Sequence, residues 1–177
     1  MPNITLVTGG IRSGKSEFAE RCAYDLGERI AYVATGAPVD AEMQARIQAH
    51  KLRRPDCWIT VEVSLGKITG LLAPVIGQID GILLDDLAGL VSAAVIETST
   101  VAEANKLLEG EEQSLWSIIR PAGIPLVAVT GEVGLSLVPL SELGRRFTDV
   151  LGDTNKRWAS QAQAVHLVVS GLNLQLK

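Results

Sequence analysis

The sequence predicts an α/β fold: a mostly parallel central sheet with helices on both faces and an antiparallel C-terminal edge. Three observations lead there. Short apolar runs alternate with longer amphipathic ones, the order expected when each strand is followed by a crossover helix. The runs are apolar throughout rather than at every second residue, which is how strands covered on both faces read. At 177 residues, the chain has the length of one ordinary core, since single cores serve chains of about 100 to 200 residues. No repeat, low-complexity tract or linker divides it, so one domain is expected over residues 1–177.

The expected strands span residues 4–8, 30–35, 58–62, 81–85, 126–130 and 165–170. A last short one covers 172–176, and Gly171 between it and its predecessor suits a tight reversal, which makes that edge antiparallel. Helices are expected over 15–26, 40–50 and 101–120. The third begins at Thr100-x-x-Glu103, where each side chain can satisfy the other residue's free amide, and Pro121 and Gly123 close it. Two shorter helices, 141–147 and 153–162, are expected on either side of Gly152.

Composition removes several classes of function. Sixteen Lys and Arg against twenty Asp and Glu leave a net charge of −4, the wrong sign for a protein that binds by neutralising nucleic-acid phosphates. Only 4% of residues are aromatic, few for a base-stacking platform. Residues 158–176 carry no charge, but Gln161, Gln163, His166, Asn173 and Gln175 interrupt them, so they are no membrane span. The N-terminus lacks the basic stretch of a signal peptide. Cys22 and Cys57 form no CxxC pair and read as small core residues in a reducing cytoplasm, and Trp58, Trp116 and Trp158 read as packing residues.

Gly9-Gly10-Ile11-Arg12-Ser13-Gly14-Lys15-Ser16 fits G-x-x-x-x-G-K-[ST] and lies between an apolar strand and an amphipathic helix, where a phosphate-binding loop needs to be. The glycines let successive backbone N–H groups turn toward one anion, and the helix N-terminus adds its dipole. Lys15 would then reach the β and γ phosphates, and the Ser16 hydroxyl would join a Mg²⁺ shell. A carboxylate on a neighbouring strand completes such a site. Asp85 is the candidate because it ends the strand 81–85 at the edge where phosphates bind, whereas Asp86 suits the cap of a following helix.

Chemistry near neutral pH that needs an imidazole has two choices, His50 and His166. His166 lies inside the apolar run Val165-His166-Leu167-Val168 and reads as structural. His50 ends the expected helix 40–50, with Lys51, Arg53 and Arg54 following and Pro55 stopping it. Such a cationic setting keeps an imidazole neutral and able to attack phosphorus. It equally describes a helix C-terminus whose cations complement the dipole, with His50 as a cap. The residues alone leave both readings open.

Taken together, these features resemble one family closely: the bifunctional adenosylcobinamide kinases and adenosylcobinamide-phosphate guanylyltransferases of cobalamin biosynthesis. The resemblance rests on Val7-Thr8 with the loop 9–16, on Tyr32-Val33-Ala34-Thr35, and on Glu42-Met43-x-x-Arg46-Ile47-x-x-His50 with Arg54-Pro55. Leu83-Leu84-Asp85, Glu132-Val133-Gly134, Val138-Pro139, Leu143-x-Arg145-x-Phe147-x-Asp149, Gly152, Asn155 and Leu167-Val168-Val169-Ser170-Gly171 extend it almost end to end.

The resemblance implies a RecA-like P-loop fold, a homotrimer, and two reactions. ATP or GTP would phosphorylate the terminal hydroxyl of adenosylcobinamide; GTP would then give GMP to a histidine, which falls on His50, and the phosphorylated corrinoid would displace it to form adenosylcobinamide-GDP. Family nucleotide contacts fall on Gly9 to Ser16, on Ala34, Thr35 and Gly36, on Lys51, Leu52, Arg53 and Arg54, on Glu62 and on Asp85. At Asp86, Ala88, Ala93, Gly131 and Thr148 this chain departs from the family pattern of Cys, Thr, Asn, Asn and a basic residue. Two other readings are a small-metabolite P-loop kinase in which His50 is only a cap, and a nucleotide-binding regulatory module without turnover.

Overall fold

The computed structural model describes residues 3–35 and 54–177. Strands β1 (Ile4–Gly9), β2 (Ile30–Ala34), β3 (Ile59–Glu62), β4 (Gly81–Asp85), β5 (Leu126–Gly131), β6 (Ala164–Val169) and β7 (Leu172–Gln175) form one seven-stranded sheet in the order β3-β2-β4-β5-β1-β6-β7. All neighbours are parallel except β6 and β7. Their reversal is a two-residue turn in which Ser170 (φ 52°) and Gly171 (φ 81°) both take left-handed backbone, the twist that suits adjacent antiparallel strands.

Both faces of the sheet are buried, and the alternation of side chains sorts them into two cores. Leu6, Val33, Ile82, Leu84, Leu126 and Ala128 face one; Val7, Tyr32, Leu83, Val127 and Val129 face the other. The first core is covered by the short helix α2 (Ile68–Leu72) and by α3 (Leu87–Glu97), α4 (Val101–Ala122) and α5 (Glu142–Gln161). Among the described residues α1 (Lys15–Tyr24) alone supplies helix residues to the second. Trp116 and Trp158 pack ring on ring at 4.8 Å in the first core, and Trp58 meets Tyr24 at 5.0 Å beside the second.

The seven expected strands are present within a residue or so of their expected ends. α4 has the reciprocal cap expected of Thr100 and Glu103, but it continues through Pro121 to Ala122 before Gly123, at φ 67°, terminates it. The expected helix 40–50 lies outside the described residues.

Two expectations are corrected. The segments 141–147 and 153–162 are one helix, α5, because a side chain at Gly152 would meet nothing within 4 Å, and the buried residues Val150, Leu151, Thr154 and Trp158 continue a single face across it. Cys57 is exposed rather than in the core, its thiol donating to the Glu28 carbonyl at 3.1 Å. α3 was not anticipated as an element with bounds: its sequence, Leu-Ala-Gly-Leu-Val-Ser-Ala-Ala-Val-Ile-Glu, has little amphipathic period because it packs against both α4 and α5.

Candidate functional site

At the carboxyl end of β1 the chain turns through residues 9–16 into α1. Gly9 has no room for a side chain: a Cβ would stand 2.5 Å from the Val168 carbonyl oxygen and 2.6 Å from the Ser13 hydroxyl. Gly14 caps α1 at φ 91° with the Cα of Gly171 3.3 Å from its missing Cβ, and Arg12 also takes left-handed backbone at φ 57°. The Ser13 N–H donates to Gly10 O at 3.3 Å, and the Lys15 ammonium donates to the same carbonyl at 3.3 Å. From outside, Gly171 donates its N–H to Ser13 O at 2.8 Å, so the β6–β7 turn buttresses the loop. The result is a compact strand–loop–helix cradle whose backbone only glycine could follow at Gly9 and Gly14.

The register of the sheet assembles a second row. Ala34 of β2 pairs with Asp85 of β4 on one side and Glu62 of β3 on the other, so these expected nucleotide-site residues end three adjacent strands at one level. The Tyr32 hydroxyl, two residues earlier on β2, donates to Asp85 Oδ2 in a short bond. Burial and the Asp85 charge push that phenol well above its ordinary range, so it stays a donor.

Asp86, joined to Asp85 by a cis peptide bond, does what the sequence suggested for it. Its Oδ1 accepts from Gly89 N at 3.0 Å and caps α3. Burial, then the neighbouring Asp85 carboxylate, raise its carboxyl to about 6, against a lowering pull from Lys15. Thr35 fastens the same turn, donating its hydroxyl to Asp86 O and accepting from Asp86 N at 3.1 Å. Gly89 leaves space for it, since a Cβ there would stand 2.6 Å from Thr35 Oγ1.

Arg54 lies with its guanidinium carbon 3.2 Å from the centroid of the Tyr32 ring and donates to Thr60 Oγ1 at 3.3 Å. It is thereby held beside the row that Asp85 ends. Gly36, His50, Lys51, Leu52 and Arg53 lie outside the described residues. His166 sits in mid-strand, paired in register with Val7 and 5.0 Å from the Phe18 ring, with Nδ1 buried and lacking a hydrogen-bond partner among the described residues. Burial lowers its pKa, which fits a packed, neutral imidazole.

Three features were missed at the sequence level: the Tyr32–Asp85 bond, the Thr35–Asp86 bonds, and an anchor in which buried Thr130 donates to Asn155 Oδ1 at 2.6 Å while Asn155 Nδ2 donates to Gly131 O at 3.0 Å. A tyrosine inside a buried strand is the one signal that was legible, because its hydroxyl must find a partner. Of the departures from the family pattern, Thr148 closes on Gly144 O at 3.0 Å within α5, and Gly131 serves Asn155 through its carbonyl.

The donor set suits a hard cation. Ser16 in the first turn of α1 and Asp85 at the end of β4 offer oxygen only. Among the described residues no group of three or more His, Cys, Asp and Glu side chains is arranged for a metal. A hydroxyl and a carboxylate of this kind would fit Mg²⁺ held together with the phosphates of a nucleotide.

The family model described as cobinamide kinase / cobinamide phosphate guanyltransferase matches residues 5–176. The chain is similar to the bifunctional adenosylcobalamin biosynthesis protein CobU of Salmonella typhimurium, at 36% identity over 97% of this chain and 98% of that one. It is also similar to CobU of Escherichia coli, at 34% identity over the same shares, and to the bifunctional protein CobP of Pseudomonas aeruginosa, at 34% over 97% and 96%.

Proposed function

The chain belongs to the cobinamide kinase / cobinamide phosphate guanyltransferase family, and on that premise we propose that it phosphorylates adenosylcobinamide and then converts the product to adenosylcobinamide-GDP. The observation that carries the reading is the cradle at residues 9–16 on the same carboxyl edge of the sheet as the row ended by Asp85, in a chain matched to the family almost end to end.

In the first reaction, the backbone N–H groups of the loop and Lys15 hold the β and γ phosphates of ATP or GTP. The terminal hydroxyl oxygen of adenosylcobinamide bonds to the γ phosphorus, the bond from that phosphorus to the bridging oxygen breaks, and the nucleoside diphosphate leaves while the hydroxyl proton passes to solvent. Ser16 and Asp85 would hold Mg²⁺, which neutralises charge on the transferring group. In the second reaction, an imidazole nitrogen of His50 bonds to the α phosphorus of GTP and pyrophosphate departs. A phosphate oxygen of the corrinoid then displaces His50 and takes the GMP. Two displacements replace one difficult step, and Lys51, Arg53 and Arg54 supply the neutralising charge. Gly9 to Ser16, Ala34, Thr35, Gly36, Leu52 and Glu62 complete the nucleotide contacts.

The same reading takes residues 1–177 as a single nucleotide-binding domain, assembled as a homotrimer and cytoplasmic. Two features support assembly. Leu135, Leu137, Val138 and Leu140 are 85%, 94%, 76% and 99% exposed, and the edge strand β7 exposes Leu172 and Leu174; sedimentation of the purified protein tests this. No helix among the described residues is long and apolar enough to cross a membrane.

The decisive experiment incubates the protein with Mg²⁺ and GTP labelled at the α phosphate, then denatures it. Acid-labile, base-stable label on wild type and none on His50→Ala is the expected result. Equal label on both, or none on wild type, overturns the guanylyltransferase step and leaves only a kinase.

A further inference from the structure

A phenol in the middle of a buried strand is an expensive choice if packing is its only task. Tyr32 is 4% exposed and its ring fills the second core next to Leu83, with which it pairs in register. A leucine or isoleucine would fill that space without a hydroxyl to satisfy. The hydroxyl is satisfied by Asp85 Oδ2, across the strand pair and toward the carboxyl end of the sheet. One such bond takes only one of the roughly four acceptor positions of a carboxylate, so it can orient Asp85 without consuming it.

The ring of the same residue has a second occupant. Arg54 stacks on it at 3.2 Å, and the guanidinium spans to Thr60, the register partner of Tyr32 on β3. The Tyr32 ring face and the Thr60 hydroxyl both hold the guanidinium, while Arg54 Nε is buried and without a hydrogen-bond partner among the described residues. A π face attracts a guanidinium whether or not the tyrosine carries its hydroxyl, so the two contacts can be separated by substitution.

We propose that Tyr32 is a positioning residue with two outputs: its hydroxyl fixes the Asp85 carboxylate for the kinase reaction, and its ring seats Arg54 for the nucleotidyl reaction. This rests on the roles given above to Asp85 and Arg54. It assigns to one side chain the coupling of two groups that lie 31 positions apart in sequence.

The test uses the full-length protein, a fluorescent GTP analogue as probe, and four variants. Tyr32→Phe keeps the ring and removes the hydroxyl; Tyr32→Leu removes both; Arg54→Gln and Asp85→Asn are the references. Three quantities are read: the gain in analogue affinity on adding Mg²⁺ over EDTA, kcat and KM for adenosylcobinamide phosphorylation, and the rate of label transfer from α-labelled GTP to protein. For Tyr32→Phe, the Mg²⁺-dependent gain and the kinase kcat fall about tenfold, the size expected of one charge-assisted hydrogen bond, while KM for adenosylcobinamide and the labelling rate hold. Tyr32→Leu loses about tenfold in labelling as well. Arg54→Gln loses labelling alone.

A merely structural tyrosine would lower melting temperature without splitting these readouts. Wild-type Mg²⁺ dependence in Tyr32→Phe, or wild-type labelling in Tyr32→Leu, overturns the proposal. If Tyr32→Leu does not fold, the double variant Tyr32→Phe/Arg54→Gln must show both losses, and failure to do so overturns it equally. Asp85→Asn separates the two levels of argument. If it keeps the Mg²⁺-dependent gain, the role of Asp85 is wrong; if it loses the gain while Tyr32→Phe keeps it, only the inference about Tyr32 is wrong.

Discussion

The two ends of the parallel strands handle their polar groups in opposite ways. At the amino ends two residue pairs close on each other. Gln163 accepts from Ile4 N at 2.6 Å and donates its own N–H to Ile4 O at 2.9 Å. Arg29 and Asp80 do the same between β2 and β4, with Arg29 N donating to the Asp80 carboxylate at 2.8 Å and Asp80 N to Arg29 O at 2.7 Å. At the carboxyl ends, Thr8 and Ser13 bury hydroxyls without partners among the described residues, Arg12 holds left-handed backbone, and two acidic residues stand side by side at Asp85 and Asp86. One end is a finished structure, and the other keeps hydroxyl donors, left-handed backbone and two adjacent carboxyl groups in reserve for a ligand.

The contrast breaks if the groups held in reserve turn out to be dispensable. Lys15→Ala gives the largest expected effect: a fall of about 10³-fold in the initial rate of adenosylcobinamide phosphorylation, comparable to losing one main electrostatic stabiliser of a transition state. A variant that retains the wild-type rate would remove the cradle from the mechanism. Next comes the pair Gly9→Ala and Gly10→Ala. The first places a methyl 2.5 Å from the Val168 carbonyl, whereas the second meets nothing within 4 Å. Overpacking of that kind costs about 1–3 kcal/mol, so Gly9→Ala should lower both thermal stability and nucleotide affinity while Gly10→Ala leaves stability near wild type. Equal behaviour of the two in melting and nucleotide titration would mean that the loop is not held as the geometry indicates.

How much was legible beforehand follows the same division. The strands could be read because both faces are covered, so each is an unbroken apolar run, and the phosphate loop could be read because its glycines and Lys15 are consecutive. Asp85 was legible from its place at the end of a strand. What could not be read was pairing at a distance. Tyr32 and Asp85 meet across 53 positions, and Thr35 and Asp86 across 51; only the parallel register of β2 on β4 brings them level. α3 was missed for the opposite reason: a helix buried on several sides loses the period by which helices are recognised. At Gly152 the local signal for a break was present, and the continuous buried face of α5 overrode it.

His166 sharpens the comparison from mid-sheet, between the two ends. Its pKa is lowered below 6.5 by burial, so the unfolded chain binds the proton more readily than the folded one. The associated stability is present above pH 6.5 and is lost as pH falls through the depressed folded value. Melting temperatures of wild type and His166→Gln should therefore converge as pH is lowered from 7.5 toward 5, with kinase rate at pH 7.5 unchanged. A constant difference across that range would mean that His166 does not titrate differently on folding.

The smallest effect belongs to the finished end. Arg29 and Asp80 form an ion pair at 2.9 Å with side chains 59% and 30% exposed. Solvent screens such pairs strongly, and long side chains lose entropy in making them. Asp80 nevertheless has its pKa lowered, first by the Arg29 side-chain hydrogen bond and then by the Arg29 backbone N–H. The backbone bond survives truncation of the Arg29 side chain, since it belongs to the main chain. Arg29→Ala should thus shift the melting temperature less than Gly9→Ala does, lose even that shift in high salt, and leave both reactions at wild-type rates. Measurable loss of either activity in Arg29→Ala would show that the amino ends of the strands communicate with the site, and the division between the two ends would have to be abandoned.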